Sequence, residues 1–167
     1  MTRKSTPLKA AILLTAILFG PYASPGNTAA QGLHDHAGAA DSQHALKLDH
    51  GRKWATDPAL RQGMSQIRSS LAQRLEAAHG DKLTPSQYRT VAGEISQQVA
   101  YIVRDCKLEP TADAVLHGII AELLAAADTM NGKTPGTPPR TGFVRALDAL
   151  DDYGKHFEHP RWVALKH

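Results

Sequence analysis

The chain has one cysteine, few aromatic residues and, beyond its first thirty residues, no surplus of either charge; each shortage excludes something. Cys106 alone cannot close an internal disulfide, so a packed core must hold the fold. The thiol is left to be buried, to bind something, or to pair with another molecule as a disulfide-linked dimer. Three Phe, four Tyr and two Trp make that core mostly aliphatic. Lys and Arg number 19 against 16 Asp and Glu, but Arg3, Lys4 and Lys9 fall in the first thirty residues and no acid does, which leaves 16 of each beyond them. A balanced chain lacks the basic footprint of a nucleic-acid binder. Strand alternation, repeats, a phosphate-binding glycine loop and a catalytic-serine signature are also missing. The lack of a C-x-x-C-H motif excludes covalently attached haem. What is plentiful is histidine, at nine residues.

The first thirty residues read as an export signal. The three bases are followed by an apolar run from Ala10 to Phe19, a break at Gly20-Pro21, and small residues Thr28, Ala29 and Ala30 ahead of Gln31. The run is about ten residues where a bilayer span needs about 20, so cleavage near Ala30 is expected rather than an anchor. No cysteine stands there to take a lipid. The expected product is a soluble chain of the periplasm or the exterior, with no integral membrane span. Residues 31 to 53 then read as a flexible leader with His34, His36, His44 and His50 among Asp, Gly and Ala. Imidazoles and carboxylates of this kind coordinate Zn, Cu or Ni loosely, although the absence of fixed spacing also suits a plain solvated spacer. Without an apolar stripe the leader should be dispensable for folding.

From residue 54 onward the pattern is helical four times over. Thr56-Asp57-Pro58 caps a first helix near 58–79, whose Leu60, Met64, Ile67, Leu71 and Leu75 recur at helical spacing. Thr84-Pro85-Ser86-Gln87 is a capping box opening a second helix near 85–106, with Tyr88, Val91, Ile95, Val99, Ile102 and Cys106 inward. Pro110 breaks the chain and starts a third near 110–130, with Ala112, Leu116, Ile119, Leu123 and Met130 inward. After a Gly/Pro/Thr loop, Phe143, Leu147, Leu150 and Phe157 mark a fourth near 139–158, stopped by Pro160. Four such helices predict an all-α domain over 54–167, an antiparallel up-down-up-down four-helix bundle.

That topology returns one residue of ligand type from each helix to the same end. At a rise of about 1.5 Å per residue, Met64 lies about 9 Å and His117 about 10 Å from the starts of their helices, both at the end where Cys106 closes helix two and His156 closes helix four. Thiolate and thioether favour Cu(I), and imidazole takes Cu or Zn, so Met64, Cys106, His117 and His156 form an expected site for copper or another transition metal. Each has a bland alternative: Met64 and Cys106 as core filler, His117 and His156 as flank residues bonded to backbone. Trp54 and Trp162 should cover this end. Cys106 and His117 as nucleophile and base would need hydrogen-bond reach, and about 10 Å along the axis separates them, so no enzymatic role is expected.

The stretches Leu60-Arg61-Gln62-Gly63-Met64 and Asp152-Tyr153-Gly154-Lys155-His156 resemble, in placement, the axial-ligand arrangement of cytochrome b562, a four-helix haem bundle of the periplasm. The resemblance implies haem b held between Met64 and His156, and electron transfer; the histidine-rich leader, Cys106 and His117 depart from it. The phrases GRKWATDPALRQGM and CKLEPTADAVLH also look like those of uncharacterised secreted bacterial helical-bundle proteins, which implies export and no mechanism. A reading from another class is an interaction protein, a periplasmic adaptor to a protein partner, with no ligand.

Overall fold

The computed structural model describes residues 46–167. The expected signal and leader residues His34, His36 and His44 lie outside them. The described residues form five α-helices and no strands: α1 (Pro58–Ala72), α2 (Leu75–His79), α3 (Pro85–Asp105), α4 (Pro110–Met130) and α5 (Pro139–His156). The four long helices each begin on a proline, whose fixed φ and missing N–H cost nothing at the first helical position. Three of these starts are capped by the preceding side chain. Asp57 Oδ1 accepts from Leu60 N at 2.7 Å, Glu109 Oε1 accepts from Ala112 N at 2.6 Å, and Thr84 and Gln87 form a reciprocal capping box.

The expected first helix is broken in two at Gln73-Arg74. The Arg74 guanidinium donates to the Ser70 carbonyl at 3.0 Å, so the Arg74 amide turns to Leu71 O at 3.1 Å instead of Ser70 O. Glu94 of α3 fixes this arrangement, accepting from Arg74 at 3.0 Å and from the Ser70 hydroxyl. The last helix is also shorter than expected. Phe157 has left the helix for extended geometry, φ −117° and ψ 137°, and forms a parallel bridge with Trp54.

The predicted apolar stripes are buried, except that Leu75 and Cys106 are half-buried at the core's edge. The long helices pack on the next long helix in the chain: α1 on α3, α3 on α4, and α4 most extensively on α5. At Gly142 the α4 and α5 backbones approach so closely that a Cβ would sit 2.5 Å from Ala126 O. Among the described helices α4 is the one long and apolar enough, by length and composition, to cross a membrane; half of that window is buried inside the domain. Contact between α1 and α5 is slight, and the two ends of the described chain close that seam.

Leu46 packs against the core, Asp49 and Arg52 close a turn, and Trp54 Nε1 donates to Lys47 O at 2.6 Å. The backbone of Trp54 bonds both His156 O and Glu158 N, and Lys53 Nζ donates to Gly154 O at 2.5 Å. The stretch read as the end of a leader, 46–53, therefore makes defined contacts with the domain. Residues 157–167 fold back across α1, where Arg68 Nε donates to Val163 O at 2.5 Å.

Candidate functional site

The corner between α3 and α4 is built around Asp57. Its Oδ1 caps α1, and its Oδ2 accepts from Lys107 N at 2.6 Å, so one carboxylate ties the start of α1 to the chain leaving α3. Cys106 is the C-cap of α3, its amide bonded to Ile102 O at 2.8 Å and its own backbone extended. Burial, and then the negative charge of Asp57, push its thiol up to about 12, so the free group is a neutral thiol.

His117 lies two turns into α4. Its Nδ1–H donates to Asp113 O at 2.8 Å, with Asp113 Oδ2 at 3.4 Å from the same nitrogen. That bond fixes the neutral tautomer and leaves Nε2 with its lone pair outward, the form in which imidazole binds a metal. Cys106, Asp113 and His117 line one surface cleft of about 230 Å³, whose apolar wall comes from Ile102, Val103, Leu116 and Ile120. The corner thus brings two of the four expected ligands to one opening.

The other two are placed elsewhere. Met64 is 0 % exposed in the core, and neither it nor His156 lines that cleft. His156 is half-buried, with Nδ1–H donating to Asp152 O at 2.7 Å. Among the described residues, no three His, Cys, Asp or Glu side chains are grouped to hold a metal ion. His50 of the leader is exposed on the Asp49–Arg52 turn. Of the two tryptophans expected to cover this end, Trp54 bridges to Phe157, while Trp162 packs edge-on against Tyr153 at 4.8 Å between ring centres.

Sequence reasoning passed over His159. It stands between Tyr153 Oη, 3.0 Å from its Nδ1, and Ser65 Oγ, 3.4 Å from its Nε2. Ser65 is 94 residues away in the chain, and the only local signal is the Pro160 that follows. Comparison of the chain with protein-family models, curated proteins and solved structures finds no match.

Proposed function

We propose that the chain is an exported, soluble binding protein, an up-down-up-down four-helix bundle whose α3–α4 corner takes one soft transition-metal ion, Cu(I) first, between Cys106 Sγ and His117 Nε2. The observation that carries this reading is that the thiol and a tautomer-fixed imidazole share one cleft. A thiolate and an imidazole suit a thiophilic ion and suit Mg or Ca poorly. Binding displaces the thiol proton, one proton released per ion bound, so affinity rises with pH. The basic, apolar and small-residue succession of residues 1–30 supports export to the periplasm or beyond. The haem b alternative, with Met64 and His156 as axial ligands, would require the closed core around Met64 to open for the porphyrin, and it is the weaker reading.

The test is competition for Cu(I) with a chromophoric chelator on the mature protein. Cys106→Ser and His117→Ala should each weaken binding beyond the roughly 10- to 100-fold that changes outside the ligand set produce. Met64→Leu and His156→Ala should change it little, and all four should keep their helicity. Binding that survives both corner substitutions but is lost with residues 31–45 would move the site to the leader. Mass spectrometry of the exported protein should find it starting near Gln31.

A further inference from the structure

A second cleft, of about 150 Å³, opens between α1 and the C-terminal segment, lined by Ser65, Arg68, His159, Arg161, Trp162 and Val163. It contains no carboxylate. Elsewhere on the surface the arginines Arg52, Arg74, Arg104 and Arg145 are paired with Asp49, Glu94, Asp105 and Glu122. Here Arg68, which lines the cleft, uses only its Nε among the described residues, on Val163 O, and stands 6.0 Å over the Trp162 ring, which leaves its terminal nitrogens without a hydrogen-bond partner there. Arg161 makes no hydrogen bond or ion pair among the described residues.

The hydroxyl and imidazole of this cleft are also arranged as donors. Tyr153 is fully buried, and among the described residues the one partner of its Oη is His159 Nδ1. A phenol that accepted from Nδ1–H would leave its own hydrogen buried without a partner, so Tyr153 donates and Nδ1 accepts. The proton of the neutral ring then sits on Nε2, pointing at Ser65 Oγ. This tautomer cannot take a proton from Ser65, which removes the nucleophile-and-base reading of the pair. Ser65 accepts from the imidazole and turns its own hydrogen outward.

The backbone points the same way. His159, Pro160, Arg161 and Trp162 form a turn closed by Trp162 N donating to His159 O at 3.0 Å, and Arg161 has φ +64°. Proline second and a positive φ third define a type II turn, whose third position belongs to glycine or asparagine. An arginine there is held in a strained conformation, on the order of 1 kcal/mol or more above an ordinary one, and it lines a cleft that holds no carboxylate.

We propose that this cleft binds a single tetrahedral oxyanion, phosphate or sulfate, through the guanidinium groups of Arg68 and Arg161 and the Ser65 hydroxyl, with His159 and Tyr153 as positioning residues. Its volume, below the roughly 300–1,000 Å³ typical of organic-ligand pockets, is enough for one such group. Paired guanidinium donors match an oxyanion in geometry as well as charge. The site is separate from the α3–α4 corner and does not depend on it.

The decisive variant is Arg161→Gly. It relieves the turn, so the melting temperature should hold or rise, whereas inorganic phosphate titrated into the mature protein should bind roughly 10- to 100-fold more weakly, the worth of one charged hydrogen-bonding group. Arg68→Gln should weaken binding comparably, and Arg140→Gly, on another part of the surface, should not. The imidazole resonances of His159 should shift on saturation in the unaltered protein. If vesicles containing phosphatidylglycerol bind in an Arg161-dependent way while free phosphate does not, the oxyanion is a lipid headgroup. Unchanged phosphate affinity in both arginine variants, or no saturable binding of either source, overturns the proposal.

Discussion

Asp57 shows how one side chain can tie two parts of the fold together and set the chemistry of a third group. It caps α1, bonds the amide after Cys106, and raises the pKa of the thiol beside it. Asp57→Ala should therefore destabilise the protein by about 1–2 kcal/mol from the lost cap alone, with more from the unpartnered Lys107 amide. Removing the charge should also speed alkylation of Cys106, which a purely packing role for Asp57 would leave unchanged; denaturant melts and iodoacetamide kinetics read the two effects separately. His159 gives a pH dependence whose sign follows from its surroundings. Burial and the nearby Arg61 hold its pKa below the ordinary 6.5, so near and below that pH the unfolded chain binds the proton more readily than the folded one. Its contribution is complete above about pH 6.5 and is lost as pH falls through the depressed folded value. His167, raised by the Leu165 carbonyl and by Asp148, acts in the opposite sense and loses its contribution as pH rises. The melting temperature of His159→Gln should fall less on acidification than that of the unaltered protein; an equal fall would place the acid sensitivity in other groups.

At the scale of elements, the helix starts were legible because their causes are local. Asp57-Pro58, Thr84-Pro85 and Glu109-Pro110 each put a capping side chain beside a proline, and the structure begins helices at those prolines. The break after Ala72 was not legible, since Leu71 and Leu75 keep helical spacing across it while its cause, Glu94, lies on another helix. The ends of α3 and α5 failed by a residue or two for the same reason: Phe157 leaves its helix to pair with Trp54, about a hundred residues earlier. For the site, the sequence placed Cys106 and His117 at one corner, but it could not show that Met64 is enclosed by the core or that His159 meets Ser65. The α1–α2 break also yields an expectation. If the Arg74 guanidinium diverts the Ser70 carbonyl, Arg74→Ala should return that carbonyl to the backbone amide and slow amide exchange at residue 74; unchanged or faster exchange there would assign the break to another cause.

For the whole molecule, the weak point is the seam between α1 and α5, which the helices themselves scarcely close. The closure comes from both ends of the described chain: residues 46–57 bond the end of α5, and residues 157–167 cross to α1 with Trp162 seated so closely on Gly154 that a Cβ there would lie 2.6 Å from its Nε1. A four-helix reading from residue 54 assigns the preceding stretch no such part. Two shortened chains separate the alternatives. One beginning at Leu46 keeps the Leu46 contact and the Lys47 carbonyl that accepts from Trp54 Nε1, and it should melt close to a chain beginning at Gln31. One beginning at Trp54 loses the buried part of Leu46, the Trp54 acceptor and the Lys53 bond to Gly154 O. Both hydrogen bonds are exposed, so each contributes about 0.5–1.5 kcal/mol, and with an apolar term of similar size the chain should be destabilised by roughly 1–3 kcal/mol in all. Because these contacts meet α5 rather than the α3–α4 corner, the loss should appear first as faster amide exchange in the last turn of α5 and in the C-terminal segment. Equal stability of the two chains, or exchange that rises first in α3, would mean that the seam does not depend on the N-terminal stretch.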